Sequence, residues 1–270
     1  MYLTRHQTAA GSQWALDGKF LPPAFELGLL LELPRAVHAD VLHSLATGAP
    51  AQGQLLAPVE LMHEVWASGV TYLRSRDARR AESETGDVYA RVYIAERPEL
   101  FMKSIGWRVV GPNAFIRVRP DSAWNVPEPE LTLLVNRHQE IVGYCAGNDV
   151  SSRSIEGTNP LYLPQAKVYA GACALGPGIQ LTGPDAMRAI TIKLQVLRED
   201  EQVFYGETDT TQMKRTFEEL VAYLCRELAF PRGVFLMTGT GIVPPDDFTL
   251  RGGDVVRVQV GELTLENRVA

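Results

Sequence analysis

The sequence predicts an α+β fold that is mostly β, with a small N-terminal domain over 1–62 and a larger domain over 63–270. Apolar and polar residues alternate over 190–196 and 256–260, as they do in half-buried antiparallel strands. A helix is predicted over 211–228, because its apolar residues recur at helical spacing. This apolar stripe comprises Phe217, Leu220, Val221, Leu224 and Leu228. A chain of 270 residues is long enough to bury a substantial core.

The N-terminal segment has its own pattern of short elements. Leu27 to Leu33 is a short apolar run, and Pro34 then stands at a favourable first position for a helix. Apolar residues follow at helical spacing before Gly48: Val37, Val41, Leu42 and Leu45. The small and polar residues of 49–54 predict a linker to the larger domain.

Three further segments connect these elements. Residues 64–86 open apolar and then become strongly charged, which predicts a helix with solvated faces. Residues 87–120 are interpreted as strands and connections. Before the 211–228 helix, Thr210 and Thr211 are the candidate N-caps, and Pro231 follows its end.

Composition and charge exclude several functional classes. The net charge is −6, and no basic run interleaved with aromatic residues appears, which argues against a nucleic-acid partner. No apolar run is long enough for a membrane span, and the N-terminus does not have the pattern of a signal peptide. The 3 cysteines show no Cys-x-x-Cys spacing, so we expect reduced, buried thiols in a cytoplasmic protein.

Three carboxylates and a lysine stand out in the middle of the chain. Glu128 and Glu130 are two residues apart, so in an extended segment they project from the same face, just before an apolar run. Asp149 and then Lys167 follow in a nearly uncharged stretch. An oxygen-only set suits a hard ion, most simply Mg²⁺, with Mn²⁺ or Ca²⁺ as substitutes. On spacing alone, a solvated Glu-Pro-Glu loop and an ordinary Asn-Asp turn are the alternatives.

Longer motifs around these residues resemble the fumarylacetoacetate hydrolase superfamily, and within it the 2-keto-3-deoxy-D-arabinonate dehydratase branch. The motifs are EPEL, NDVSSR, NPLYLPQAKVYAGACALGP and TGTGIVPPDDFTLRGGDVV, and the resemblance covers roughly 64–268. It implies a mixed β-roll fold, a metal site formed by Glu128, Glu130 and Asp149, and a catalytic Lys167. It also implies a homodimer or a homotetramer.

The same resemblance implies roles for residues around a lid. Hydrolase and decarboxylase members carry a His and a Glu after the residue that corresponds to Tyr72, whereas this chain has Ser75 and Ala78 there. Ser75 and Arg76 are therefore interpreted as lid residues that contact the substrate. A surface position for Arg76 is the alternative.

Two further segments are interpreted as substrate-binding by the resemblance. Lys103 is expected near the cavity, with an exposed surface lysine as the alternative. Gly239 and Thr240 belong to a Thr-Gly-Thr-Gly loop whose backbone N–H groups are able to approach a carboxylate, with a plain turn as the alternative.

Together these residues predict an enzyme that acts on a small 2-oxo acid. The leading hypothesis is a metal-dependent dehydratase that converts a 2-keto-3-deoxy sugar acid into 2,5-dioxopentanoate and water. A bound ion and Lys167 stabilise the negative charge that forms when the C3 proton leaves. Acylpyruvate hydrolysis or oxaloacetate decarboxylation is the first alternative, and a catalytically silent binding protein is the second. The C3 base is left open among Glu82, Glu84, Lys167 and a water molecule.

Overall fold

Strands make up most of the regular structure in a computed structural model that describes residues 1–45, 48–82 and 87–270. The strands are β1 (Tyr2–Thr8), β2 (Gly11–Leu16), β3 (Lys19–Phe20), β4 (Leu55–Leu56), β5 (Glu64–Gly69), β6 (Glu99–Ile105), β7 (Phe115–Ile116), β8 (Asn125–Val126), β9 (Pro129–Val135), β10 (Ile141–Asp149), β11 (Ser151–Ser152), β12 (Cys173–Leu181), β13 (Thr191–Arg198), β14 (Glu201–Asp209), β15 (Val234–Met237), β16 (Val255–Val260) and β17 (Leu263–Val269). The helices are α1 (Leu27–Leu30), α2 (His38–Leu45), α3 (Leu73–Glu82), α4 (Asp87–Ile94), α5 (Arg153–Thr158), α6 (Leu163–Lys167) and α7 (Phe217–Leu224). The predicted α+β, mostly β class is confirmed.

A large mixed sheet forms the centre of the molecule. Its strand order is β3-β2-β1-β12-β10-β9-β15-β5-β6, and β4 also pairs with β1. The β15–β5 pair is parallel, whereas its neighbours are antiparallel. Strands β9 and β10 are buried along their whole length. This double-sided burial explains why β9 has a nearly continuous apolar sequence instead of an alternating one.

A second sheet packs against one face of the first. Its order is β14-β13-β16-β17-β7, and β13 and β16 alternate between buried and more accessible residues as their sequences predict. Leu131 and Leu133 of β9 share one apolar core with Ile192, Leu194 and four residues of the predicted stripe, which are Phe217, Leu220, Val221 and Leu224; Leu228 lies beyond α7 and is exposed. Burial of this stripe stabilises the contact of α7 with both sheets.

The N-terminal strands extend the large sheet. Tyr2 of β1 lies opposite Gln180 of β12, so the sheet continues from the central strands into the N-terminal segment. On the face away from the second sheet, Leu27, Leu31 and Leu42 join Leu134 in another apolar core. The helix predicted after Pro34 is present as α2. The domain boundary at residue 62 stays a prediction.

Two local predictions were wrong. The segment after residue 87 begins with the helix α4 rather than with a strand. Its apolar residues, Val88, Tyr89, Val92 and Tyr93, lie at helical spacing although their type favours strands. The helix predicted over 211–228 spans only Phe217–Leu224, and its N-cap is neither Thr210 nor Thr211. The hydroxyl of Thr216 caps its start by accepting a hydrogen bond from Glu219 N.

The cysteines are Cys145, Cys173 and Cys225, and all are buried free thiols. Across the described ranges, the helices are too short or too polar to cross a lipid bilayer.

Candidate metal centre

Three carboxylates meet at one end of the β9–β10 pair. Glu128 directly precedes β9, Glu130 is the second residue of β9, and Asp149 is the last residue of β10. The antiparallel register places Glu130 opposite Gly147, and Asp149 N donates a 2.9 Å hydrogen bond to Glu128 O. One ligand oxygen from each side chain lies within 4.8 Å of the others. The three residues are 5%, 1% and 1% exposed, so their charges are removed from solvent.

Three buried cations surround these carboxylates. Lys167 Nζ lies 2.9 Å from Glu128 Oε2 and 2.9 Å from Asp149 Oδ2. Lys103 Nζ lies 2.5 Å from the other oxygen of Asp149, and Arg153 Nη2 lies 2.6 Å from Glu128 Oε1. Burial of several like charges is costly unless they are paired. These cations therefore stabilise two of the three carboxylates directly.

Glu130 is the carboxylate with which these three cations form no salt bridge. It accepts a 2.6 Å hydrogen bond from Gly239 N, and within the described part of the chain it forms no salt bridge. Burial raises the pKa of Glu130 well above its usual range, and the nearby Asp149 and Glu128 raise it further. A cation at this position removes the cost of ionising Glu130.

The donor set fits a hard divalent ion. Three carboxylate oxygens converge, and no histidine or cysteine is part of the cluster. Oxygen donors of this kind suit Mg²⁺, Mn²⁺ or Ca²⁺ better than softer metals. Glu130 is buried and has no salt bridge among the described residues, which is a second reason to expect a cation here. The predicted ligands Glu128, Glu130 and Asp149 are thus brought together, with Lys167 beside them.

The Thr-Gly-Thr-Gly loop continues β15 toward the carboxylates. Thr238 N and Thr238 Oγ1 donate hydrogen bonds of 3.1 Å and 2.9 Å to Leu131 O. Gly239 has φ +89, and a Cβ atom there would lie 2.1 Å from Thr71 Oγ1, so only glycine fits. Thr240 Oγ1 accepts a 3.1 Å hydrogen bond from Ile242 N, which fixes the loop.

A small cavity lies between the carboxylates and the first turn of α3. Its lining residues are Ser68, Gly69, Val70, Ser75, Glu99, Phe101, Glu128, Asp149, Glu156, Leu163, Lys167, Gly239 and Thr240. The predicted residues Ser75, Lys167, Gly239 and Thr240 therefore face one space. Its volume is about 20 Å³, which accommodates about one water molecule. A five-carbon acid is larger than this space, so substrate binding needs the residues around the cavity to move apart.

Two predicted substrate contacts are placed elsewhere. The guanidinium of Arg76 bonds Asp77 Oδ1 at 2.6 Å and lies 5.0 Å from the centre of the Tyr93 ring, outside the cavity lining. Lys103 lies behind Asp149, where its Nζ also donates to Lys167 O. Substrate binding by Arg76 and Lys103 stays a prediction. Glu84 and the side chain of Glu82 lie outside the described residues.

Four residues near the cavity were not predicted from the sequence. Glu99 and Glu156 are acidic residues of its lining, and Ser68 lines it as well. Arg153, which is 2% exposed, belongs to the NDVSSR motif, and its pairing with Glu128 spans 25 positions. Gly69 permits the position of Glu99, because a Cβ atom on Gly69 would lie 1.9 Å from Glu99 Oε2. Of these four residues, only Arg153 and Glu156 have a spacing, three positions apart, from which a local contact is predictable.

A larger cleft lies away from this site, between the N-terminal strands and the loop after α7. Its volume is about 610 Å³, and Trp14, Phe25 and Phe230 are among its lining residues. Its acidic residue Glu60 accepts hydrogen bonds from Leu27 N, Gly28 N and Trp14 Nε1. Glu60 therefore stabilises the start of α1, and size alone does not make this cleft the reactive site.

Comparisons with known proteins agree with this geometry. A family model described as the fumarylacetoacetate (FAA) hydrolase C-terminal domain matches residues 64–270. A probable 2-keto-3-deoxyxylonate dehydratase from Haloferax volcanii is 46% identical over 209 residues, which are 76% of this chain and 72% of the relative. A 2-dehydro-3-deoxy-D-arabinonate dehydratase from Saccharolobus solfataricus is 40% identical over 206 residues, which are 74% of this chain and 69% of the relative.

Solved structures extend the similarity to the whole chain. A 2-keto-3-deoxy-D-arabinonate dehydratase complexed with magnesium and 2,5-dioxopentanoate matches with a TM-score of 0.84 and 32% identity. The match covers 100% of this chain and 98% of that one. The fold expected from the sequence, a mixed β-roll with a small N-terminal part, is therefore confirmed at the level of the fold.

The raised pKa of Glu130 predicts how the stability of the metal-free protein depends on pH. Because the folded-state pKa exceeds that of the unfolded chain, the contribution of Glu130 to stability is present at low pH and is lost as pH rises through the folded pKa. In EDTA, the melting temperature of the wild type should therefore fall relative to that of Glu130→Gln as pH rises above the usual pKa of a glutamate side chain, about 4.3. Thermal unfolding of both proteins measures this difference.

The glutamine variant is a matched control, because its amide oxygen is able to keep the hydrogen bond from Gly239 N. Saturating Mg²⁺ should remove the decline in the wild type, since the ion favours the ionised carboxylate. A difference between the two proteins that stays constant across this pH range in EDTA would contradict the prediction.

Proposed function

We propose that this chain, which belongs to the fumarylacetoacetate hydrolase family, is a Mg²⁺-dependent dehydratase of 2-keto-3-deoxypentonates. The observation that carries the proposal is the buried cluster of Glu128, Glu130 and Asp149 with Lys167 bonded to two of its members. The named activities of the two dehydratase relatives support the choice of reaction.

The names of these relatives point to a single kind of substrate. A 2-keto-3-deoxypentonate has a carbonyl at C2 and a methylene at C3, so C4 is its only remaining stereocentre. D-Arabinonate and D-xylonate share the configuration at C4. Their 2-keto-3-deoxy derivatives are therefore the same compound, and we propose this D compound as the substrate.

The reaction removes one water molecule and then moves hydrogen along the chain. The C3–H and C4–O bonds break, a C3=C4 double bond forms, and the proton and hydroxyl leave as water. The allylic alcohol then becomes 2,5-dioxopentanoate as C5 and its oxygen each lose a hydrogen while C3 and C4 each gain one. Every step therefore transfers protons, and no oxidant or reductant is required.

The residues of the site have different roles in this reaction. Glu128, Glu130 and Asp149 would hold Mg²⁺, which when bound attracts the 2-oxo acid and stabilises the negative charge that forms as its C3 proton leaves. Lys167 places an ammonium group beside the same carboxylates, where it adds a second positive charge in a site removed from water.

Glu99 is the carboxylate that we assign to proton transfer. It lines the cavity from β6, and Gly69 gives its carboxylate the room to lie there. A general acid or base has to reach the proton that it moves, and this position satisfies the requirement. The site residues are buried, so the group that accepts the C3 proton is also able to return it to the departing C4 oxygen.

Purified protein with Mg²⁺ should convert 2-keto-3-deoxy-D-pentonate into 2,5-dioxopentanoate, and EDTA should abolish the conversion, because the acidic cluster needs its ion. Mass spectrometry of the products checks this. Acylpyruvates and oxaloacetate are tested in parallel. Pyruvate from an acylpyruvate, or CO₂ from oxaloacetate, would favour the hydrolase or decarboxylase alternative, and metal binding without any turnover would favour a silent binding protein.

Replacement of Lys167 by Met should separate metal binding from turnover. Loss of one positive charge beside the carboxylates should leave Mg²⁺ binding equal to or tighter than that of the wild type, because like charges repel. Turnover should fall by about 100-fold or more, since a charge that stabilises the transition state is lost. Calorimetric Mg²⁺ titration and kcat measure the two effects.

Lys193→Met is the matched control for this replacement. Lys193 is a partly exposed lysine whose Nζ lies 3.7 Å from Glu207 Oε2, and it is not among the residues that line the cavity. The Lys193→Met replacement should change neither Mg²⁺ binding nor kcat. Normal turnover by Lys167→Met would refute the role assigned to Lys167.

We also propose that the protein is a homodimer or homotetramer and acts in the cytoplasm. Leu61, Met62 and Trp107 are 61%, 77% and 62% exposed, and Trp107 N donates to Leu61 O, so these apolar side chains form one patch. Light scattering should give two or four times the monomer mass, and Met62→Lys should lower it. A monomeric wild type at micromolar concentration would contradict this assembly.

A further inference from the structure

A buried lysine behind the acidic cluster joins separate parts of the site. Lys103 lies on β6 and is 1% exposed. Its Nζ atom lies 2.5 Å from Asp149 Oδ1, and it donates hydrogen bonds of 2.9 Å to Val150 O and 2.6 Å to Lys167 O. An ammonium group has three N–H donors and no acceptor, so these oxygens match its capacity. Lys103 therefore connects the end of β10 to the end of α6.

The side chain of Lys103 lies behind the cavity and not in it. Glu99, Phe101 and Lys103 alternate along β6, which places them on one face of the strand. Glu99 and Phe101 belong to the cavity lining, whereas Lys103 does not. Lys103 also has no residue opposite to it in β5, because the pairing register shifts there, and such bulges redirect side chains beside active sites. It therefore reaches the site through the residues that it contacts.

The helix that carries Lys167 depends on contacts of this kind. Because α6 has only 5 residues, its own hydrogen bonds are too few to make it stable. Lys167 is its last residue, and the carbonyl groups at a helix C-terminus have no partner within the helix. Lys103 Nζ supplies this partner to Lys167 O. The backbone of Lys167 is thus anchored while its own ammonium group lies beside Glu128 and Asp149.

We propose that Lys103 is a positioning residue, which holds Lys167 against the acidic cluster by binding its backbone carbonyl and the neighbouring Asp149. This proposal rests on the proposed dehydratase function and adds to it the residue that orients the Lys167 ammonium group. Lys103 acts through Lys167, and this role replaces the contact with substrate that the resemblance implies for Lys103.

Lys103→Met tests the proposal, because methionine is also long and unbranched but has neither the charge nor the donors. With Mg²⁺ and 2-keto-3-deoxy-D-pentonate, kcat should fall about tenfold or more, since a misplaced Lys167 stabilises the transition state less, and KM should change less than about twofold. Added to Lys167→Met, the replacement should lower kcat no further, because its effect passes through that side chain. Steady-state kinetics of the wild type, both single variants and the double variant measure this.

A second measurement needs neither metal nor substrate. Val168 N donates a 2.8 Å hydrogen bond to Pro164 O, which closes the last turn of α6. In EDTA, hydrogen exchange at Val168 N should be about fivefold or more faster in Lys103→Met than in the wild type, because α6 opens locally without its anchor. NMR of the folded proteins measures the exchange rates. Lys103→Gln, which keeps two N–H donors, takes the place of the methionine variant if that variant does not fold.

Arg198→Met is the matched control for both measurements. Arg198 Nη2 lies 2.7 Å from Oδ2 of the buried Asp254 and donates a 3.0 Å hydrogen bond to Thr249 O. It therefore also joins a buried carboxylate to a backbone carbonyl, but it does not line the cavity. This variant should have a lower melting temperature, with the kcat of the wild type and the same exchange rate at Val168 N.

The outcomes separate the two proposals. If the wild type does not dehydrate the pentonate, the proposed function fails, and the exchange rates still decide whether Lys103 holds α6. If the wild type is active, any of three results refutes the role of Lys103. A raised KM with an unchanged kcat would indicate substrate binding, losses in kcat that multiply in the double variant would indicate an independent effect, and an unchanged exchange rate at Val168 N would show that α6 does not need this anchor.

Discussion

The burial of three carboxylates at the end of two paired strands is the constraint on which the remaining structure depends. Like charges at this distance repel, and their burial away from water is stable only with nearby cations. The chain supplies these cations from separate elements: Lys103 from β6, Lys167 from the end of α6 and Arg153 from the start of α5. The strand order of the large sheet and the position of the short helices are therefore coupled to the charge balance of one site.

The register of β9 determines which face of the sheet the site carboxylates occupy. Leu131 and Leu133 face the core shared with the second sheet, whereas Glu130 and Leu134 face the opposite side. A shift by one residue would turn Glu130 into the apolar core and expose the leucines to the site, which both faces of the sheet disfavour. The same packing that stabilises the fold thus determines where the carboxylates point, and the loop at Gly239 is attached to this strand through Thr238.

The sequence predicted the parts of the site that local patterns encode. The spacing of Glu128 and Glu130, and the motifs that carry Asp149 and Lys167, were sufficient for the acidic cluster. Glu99 and Ser68 were not predicted, because their positions depend on the pairing of β5 with β6 and on contacts with loops distant in the chain. The helix α4 was missed for a different reason: the type of its residues favours strands, and packing against α3 outweighs that preference. Long-range contacts therefore limit what the sequence alone shows about the site.

The residues at positions 75 and 78 support elimination over hydrolysis as the proposed reaction. Hydrolysis of a carbon–carbon bond needs an activated water molecule, and the resemblance places the His-Glu pair for that task at Ser75 and Ala78. Ser75 lines the cavity, and no histidine is found among the described residues of its lining. Under the proposed function, Glu99, which lines the same cavity, accepts a proton from carbon and returns it to the leaving hydroxyl. The proposed reaction thus combines an acidic cluster that would hold the ion with a separate carboxylate that transfers the proton.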